Sequence, residues 1–386
     1  MNTPAQLPET EARYDARWQR ILDCVALRQP DRMPVVMYGT YWFAKYGGIS
    51  CKELMYDYEK NKEITERAVL EFEPDAVAPL FGGTALGKVF DALDYKQLQW
   101  PGHGVGDNQP YQYLDREYMK AEEFPDFLRD PTGFYLNSYL PRIFGAFEGF
   151  ENFPVLPGMF YFRAITGLRP LANPEFRKAL RRVLDAAEVV DSYMTESAQW
   201  NRRIASLGFP LTNGSASGAP YDVLADYFRG ATGMMKDLFR RKEVLLEAID
   251  SMRQHLVKMT IANARASGNP IVFIPVHWAS DAFMSQKQFE TFWWPSFRQM
   301  MHRPDRCRPD PHAAVGIGLH QAPGDHQGYP GRQVHLLVRA HRHRQGSRGA
   351  GRRGGPAGEY LAVTDDHRHA GRGRRRGEEA RGQDME

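Results

Sequence analysis

Residues 268–281 read GNPIVFIPVHWASD, and the six in the middle, 271–276, decide the fold. Four of those six are β-branched and none is charged, so both faces of the strand they form must be covered. A helix predicted over 243–267 leads into it and is stopped by Gly268-Asn269-Pro270, the helix-terminating sequence that glycine and proline produce. Working outward, the same alternation recurs. Helices are expected over 14–27, 51–71, 174–201, 221–228 and 284–301, with Ser285 as the last one's N-cap. Apolar strands are expected at 33–38 (MPVVMY), 75–81 (DAVAPLF) and 209–215. Residues 100–160, rich in Pro, Gly and aromatics, are expected to form a long excursion without regular elements.

Wholly apolar strands separated by helices imply an α/β fold with a parallel sheet. Over this length, they favour a (β/α)8 (TIM) barrel over an open doubly wound sheet. No GxGxxG follows the first strand, which removes the dinucleotide-binding signature. No stretch of eighteen apolar residues exists, and the first residues lack an apolar signal core. Cys24, Cys51 and Cys307 form neither a disulfide framework nor a paired metal spacing, which suits a reducing cytoplasm.

The net charge of +3 conceals two compositions. The last 85 residues hold 16 Arg and no Lys, 9 of the 12 His, 15 Gly and only two aromatics, for a net of +6. Residues 1–301 carry every Lys, Phe and Trp and a net of −3. The change falls inside the amphipathic run FETFWWPSFRQMM with no linker, unlike a domain boundary. One interpretation is an Arg/Gly-rich segment that binds nucleic acid, but the tail has no repeat. The other is translation out of frame in GC-rich DNA, which enriches Arg, Gly, Ala and His. Shifted by one nucleotide, residues 332–345 permit GKCIYWFERTDIVK, 350–360 permit LGDVVALRGNI, and 365–373 permit TTTGTPEEV. This text has strand-like alternation, a helix start and ordinary Lys and aromatic use. We therefore divide the chain into a barrel portion, 1–301, and an out-of-frame, disordered tail, 302–386. The pI then says nothing of a nucleic-acid partner, and none is expected.

In such barrels chemistry sits at the C-terminal ends of the strands. Tyr38, Gly39, Thr40, Gly82, Gly83, Asn213, Ser215, His277 and Asp281 qualify on that ground. His277 can exchange a proton near neutral pH, and a nearby carboxylate would raise its pKa. After the small-residue turn GSASGAP, Tyr227 is placed to aim a phenol back at the site.

Three segments carry a resemblance. RILDCVALRQPDRMPVVMYG (20–39), GAPYDVLADYFRG (218–230) and DAFMSQKQFETFWWPSFRQM (281–300) resemble the uroporphyrinogen decarboxylase superfamily, over about residues 15–301. The shifted-frame text resembles that family's last strand and following helix. The superfamily includes decarboxylases and cobalamin-linked methyltransferases, and the resemblance implies a (β/α)8 barrel with a deep cleft. It assigns Tyr227 to substrate contact. Two decarboxylase elements are replaced: Arg-Gln-Ala-Gly-Arg-Tyr after the first strand by Tyr38-Gly39-Thr40-Tyr41-Trp42, and Phe-Ser-Asp after the second by Leu80-Phe81-Gly82-Gly83. Without those cations and that carboxylate, a substrate bearing many carboxylates loses its clamp.

The resemblance therefore implies corrinoid-linked methyl transfer, with uroporphyrinogen decarboxylation as the alternative and nucleic-acid binding through the tail as a second. Tyr227, His277 and Asp281 are the expected catalytic residues. Tyr38, Thr40, Tyr41, Gly82, Gly83, Asn213 and Ser215 are the expected substrate-binding residues. Cobalamin and zinc are the implied cofactors of the methyl-transfer branch, with metal ligands from beyond Met301 and none assigned before it. The implied partners are a small molecule or a corrinoid protein, with a homodimer allowed and no membrane. A barrel without its last strands leaves open sheet edges, so the 386-residue product is expected to be unstable and inactive. Sequencing the gene across codons 300–303 is expected to reveal one inserted or deleted base. An intact frame there would return the tail to the nucleic-acid-binding interpretation.

Overall fold

The computed structural model describes residues 7–26, 28–79, 84–153, 161–280, 282–301, 314–317 and 335–337. Its strands are short and its helices long. β1 (Val36–Met37) and β2 (Ala76–Val77) pair in parallel, Val36 opposite Ala76. The Val77 amide donates to Pro210 and its carbonyl accepts from Thr212, each at 3.0 Å, so the next segment lies parallel beside β2. Leu98–Pro101 (β3), Gly104–Val105 (β4) and Gln112–Tyr113 (β5) form a small separate sheet. Ser215–Ala216 (β6) pairs in parallel with Ile271–Ile274 (β7).

Residues 210–216 therefore join the first two strands to β7, and every one of these main-sheet pairings is parallel. Gly268, at φ +69°, ends the Lys242–Ser267 helix in the left-handed conformation glycine tolerates, immediately before β7.

The N-terminal ends of these strands are sealed from one side. The Leu7–Val25 helix buries Ile21 and Val25 against Ala76 and Ile271, with Trp18 and Val36 beside them. Next to this plug, Asp75 is wholly buried and accepts four hydrogen bonds. Arg20 Nη1 donates at 2.5 Å, Arg32 through both Nη atoms at 2.6 Å, and the Val35 amide at 2.8 Å. One carboxylate thus holds the first helix, the turn after it and the first two strands in register. Larger cores pack outside. One gathers Phe43, Leu54, Ile64 and Val69 against Trp200 and Ile204 at the end of the Pro174–Ser206 helix.

The strands expected at 33–38 and 75–81 shorten to two residues each, and the one expected at 209–215 is a bridge at Leu211 followed by β6. The structure differs from the sequence expectations in four further places. The helix over 51–71 is two, Cys51–Tyr56 and Tyr58–Phe72, because Asp57 leaves helical geometry to cap the second through the Lys60 amide. The 100–160 excursion contains regular elements. Phe124–Arg129, Pro131–Phe134 and Leu140–Ile143 are helices, and Phe124, Phe127, Phe134 and Tyr139 enter the largest core. The final helix does start at Ser285, whose hydroxyl and Gln288 form a capping box, but it passes through a π turn at Phe289–Trp293. Pro295 lacks the amide that would close an ordinary turn there.

Lastly, the expectation that everything after Met301 stands outside the fold is not met at Ala314–Ile317 (β8) and His335–Leu337 (β9). β8 extends the parallel sheet from β7, and β9 from β8. β7 offers an open row of amides and carbonyls, which any extended segment can satisfy. The rest of 302–386 lies outside the described residues.

Replacing Asp75 with Ala removes the acceptor of Arg20 Nη1, of both Arg32 Nη atoms and of the Val35 amide at once, leaving Arg20 paired with Asp31 alone. This should destabilise the protein by about 3–5 kcal/mol, read as a lowered urea midpoint. Arg32 is half exposed, and Arg32→Ala should cost about 1 kcal/mol or less.

Candidate active site at the strand ends

After β7 the chain turns through Pro275 and Val276 to His277 and Trp278, opposite the start of the Pro220–Val223 helix. That helix continues through a π turn at Leu224–Arg229 into Gly230–Arg240. It carries two carboxylates four residues apart, and both face the end of β7. Asp226 Oδ2 lies 2.6 Å from His277 Nδ1, and its Oδ1 accepts from Trp278 Nε1 at 2.7 Å. Asp222 Oδ2 accepts the His277 backbone amide at 2.7 Å, and its Oδ1 accepts Trp293 Nε1 at 2.6 Å. Asp226 thus orients the imidazole while Asp222 orients the backbone that bears it. The His277 side chain is 54% exposed and Asp226 only 18%, so the ring reaches solvent from a buried support.

The electrostatics follow from this placement. The hydrogen bond from Asp226 raises the His277 pKa above 6.5, outweighing the opposing effect of burial. Asp222 is fully buried, and desolvation pushes its carboxyl up to about 7 despite the two donors that favour its charged form. Burial, then the charge of Asp226, raises the Tyr227 phenol. An imidazole backed by an oriented carboxylate is the arrangement of a general base with its positioning group.

Tyr227 is 40% exposed and its ring meets Tyr113 edge-on at 6.3 Å. Its backbone carbonyl is held by the Tyr139 hydroxyl at 2.8 Å and by Gln97 Nε2 at 3.1 Å. Of the expected catalytic residues, His277 is bonded to Asp226, and Tyr227 follows Asp226 in the chain with its ring against Tyr113. Tyr38, Asn213 and Ser215 belong to a second hydrogen-bonded chain. Tyr38 Oη approaches Thr212 Oγ1 at 3.4 Å, Thr212 Oγ1 donates to Asn213 Oδ1 at 2.7 Å, and Asn213 Nδ2 donates to the Ser215 carbonyl at 3.0 Å.

The Asn213 and Ser215 side chains are buried. The Asn213 amide braces the sheet where residues 210–216 pass from β2 to β7. The Tyr38 ring lies 6.0 Å from Phe273 on β7. Tyr41 packs edge-on against Tyr111 at 5.9 Å, and burial raises its hydroxyl far above the ordinary phenol range. Thr40 is exposed and left-handed, φ 40°, a strained state for a β-branched residue. Gly82, Gly83 and Asp281 lie outside the described residues.

The sequence reading missed Asp222, Asp226, Tyr111 and Tyr113. The two aspartates had a signal: paired acids at i and i+4 in the otherwise apolar helix start PYDVLADYF. The tyrosines had none, since β5 joins the group only through the fold of a segment without a periodic pattern.

Among the described residues no cluster of three His, Cys, Asp or Glu side chains could hold a metal. Open depressions of about 560 Å³, beside Met235 and Phe239, and about 570 Å³, beside Tyr56 and Glu196, share no residue with the His277 group. The chemistry at the strand ends marks the candidate site more clearly than either hollow. No protein-family model matches the chain, and no curated protein matches it.

The pH dependence of stability has a definite sign. Both raised groups hold a proton more tightly in the folded state. The Asp222 contribution is complete below its ordinary 3.8 and is lost as pH climbs through about 7. The His277 contribution is complete below 6.5 and is lost above it. The urea midpoint should therefore fall between pH 6 and pH 8. In Asp222→Asn, which cannot ionise there, the fall should be smaller.

Proposed function

We propose that residues 1–301 form the greater part of a (β/α)8 barrel of the uroporphyrinogen decarboxylase type. Its strand-end site would serve corrinoid-linked methyl transfer rather than decarboxylation. The parallel order of β1, β2, residues 210–216 and β7, each reached through a helical connection, supports the barrel.

One observation carries the choice of chemistry. Among the described residues, the charged side chains gathered at these strand ends are Asp222, Asp226 and His277. No Lys or Arg occurs in residues 36–43, 111–114, 211–228 or 275–280. A polycarboxylate would find the partly exposed Asp226 there and, in those stretches, no guanidinium group to hold it. Tyr38, Tyr111, Tyr113 and Tyr227 present uncharged aromatic surface instead, which suits the flat face of a corrinoid. When bound, a corrinoid supplies the methyl carrier. The described residues offer no donor set for zinc, and no step is assigned to it.

In this reading the His277 Nε2 atom takes the proton from a thiol or similar acceptor. Asp226 stabilises the imidazolium so formed through Nδ1, and Trp278 keeps Asp226 aligned. The Tyr227 phenol, held protonated, donates a hydrogen bond that orients the acceptor. No helix among the described residues is long and apolar enough to cross a membrane. Cys24 and Cys51 are unbonded thiols, in keeping with a cytoplasmic location.

The test is incubation of the chain, and of its frame-restored form, with methylcobalamin and thiol or tetrahydrofolate acceptors. Demethylation should fall about 100-fold in Asp226→Asn. Absence of both binding and demethylation in the frame-restored form would refute methyl transfer. Conversion of uroporphyrinogen to coproporphyrinogen would establish the decarboxylase instead.

A further inference from the structure

Asp226 and Tyr227 sit in a π turn, and the helix that follows begins again at Gly230, whose φ of +64° is left-handed. The break is built into the packing. A Cβ at Gly230 would lie 2.9 Å from the Arg116 carbonyl oxygen, so another backbone is laid directly against it. In an unbroken helix the Tyr227 carbonyl would accept from the Ala231 amide, four residues on. Here the two halves of that bond are taken by other segments. Tyr139 Oη donates to the carbonyl at 2.8 Å and Gln97 Nε2 at 3.1 Å, while the Ala231 amide donates to Asp115 Oδ1 at 2.8 Å. The next carbonyl, that of Phe228, accepts the Met119 amide at 2.7 Å.

The groups that take these halves are themselves fixed. Tyr139 and Gln97 are buried. Gln97 Oε1 accepts from Tyr95 Oη at 3.0 Å, which leaves the amide nitrogen facing Tyr227. Burial raises the Tyr139 hydroxyl far above the ordinary phenol range, so it remains a donor, and its ring stacks on Phe228 at 4.3 Å. Arg229, wholly buried, ties the same bend to residues 117–119 by bonding Glu117 and the Met119 carbonyl, and it also holds Asp237. A buried carbonyl or amide without a partner is costly. Deprived of these groups, the turn would relax toward an ordinary helix, and an altered turn rotates the side chains it carries.

We propose that Tyr139, Gln97 and Asp115 are positioning residues of the strand-end site, holding the interrupted helix in the register that aims Asp226 at His277 Nδ1. They act through the backbone of Tyr227 and Ala231 rather than on the imidazole itself. The proposal rests on His277 and Asp226 being the working pair of the site, and it is independent of which reaction they serve.

The test is titration of the His277 ring by NMR in the full chain, its signals assigned from His277→Gln. Asp226 and Asp222 are the charged groups beside that ring. In Tyr139→Phe, which loses only the hydroxyl, the midpoint should fall by about half a pH unit or more as Asp226 turns away. Asp115→Ala, at the exposed end of the clamp, should do the same, and Asp115→Asn, which keeps an acceptor oxygen, should titrate as the wild type. Tyr56→Phe removes a hydroxyl bonded to Asp91 and Trp100 in another core. It should lower the urea midpoint and leave His277 unshifted. With methylcobalamin and a thiol, Tyr139→Phe should lower kcat about 10-fold at unchanged KM. Inactivity of every form would count against methyl transfer, while the titration still decides the clamp. An unshifted His277 in Tyr139→Phe, or in Asp115→Ala where the first does not fold, would overturn the proposal. An equal shift in Tyr56→Phe would overturn it too.

Discussion

Asp222 is the constraint on which the candidate site rests. A buried carboxylate needs its oxygens satisfied, and this one is satisfied from two elements at once, the His277 amide after β7 and the Trp293 indole in the following helix. It can hold them only while the Pro220–Val223 helix keeps its place. Three segments far apart in the chain are thereby fixed to one another, and Asp226, one turn further on, inherits a position from which it reaches the His277 ring. The imidazole is oriented because its support has nowhere else to go.

The frame of the molecule was legible in the sequence where physical requirements are local. The apolar run before His277 became β7, Ser285 became a helix cap, and the GSASGAP turn opened a helix carrying Tyr227. Each depends on residues within a turn or two of one another. Asp57 breaking a helix is of the same kind, but its signal was masked by good helix formers on both sides. The site was legible only in part. His277 and Tyr227 announce themselves by residue type after a strand or a small-residue turn. The aspartate that orients His277 lies 51 positions away from it, and nothing local encodes that distance. Asn213 and Ser215 occupy a strand end, yet the Asn213 amide is taken up by the Ser215 carbonyl where the strands change partners, and the Ser215 hydroxyl is buried without a hydrogen-bond partner among the described residues. Position in a fold nominates a residue, and hydrogen-bond demand then decides its use.

The interrupted helices share a purpose. The π turns at Leu224–Arg229 and Phe289–Trp293 flank the site from either side. An added residue in a helical turn rotates all that follows it. In the first, it lets Asp222 and Tyr221 point inward while Tyr227 stands 40% exposed. In the second, it brings Trp293 to Asp222 although Pro295 forbids an ordinary turn. Irregular backbone here aims side chains that a regular helix would misdirect.

The Asp75 cluster has a bearing on time as well as stability. All its members lie between Arg20 and Asp75, so the cluster can close once the chain has been made as far as Asp75. Domains assemble from the N-terminus as synthesis proceeds. The opening helix and the first two strands can thus join while β7 is still unmade on the ribosome. Whatever the translated message says after codon 301 meets a structure whose starting edge has already been set.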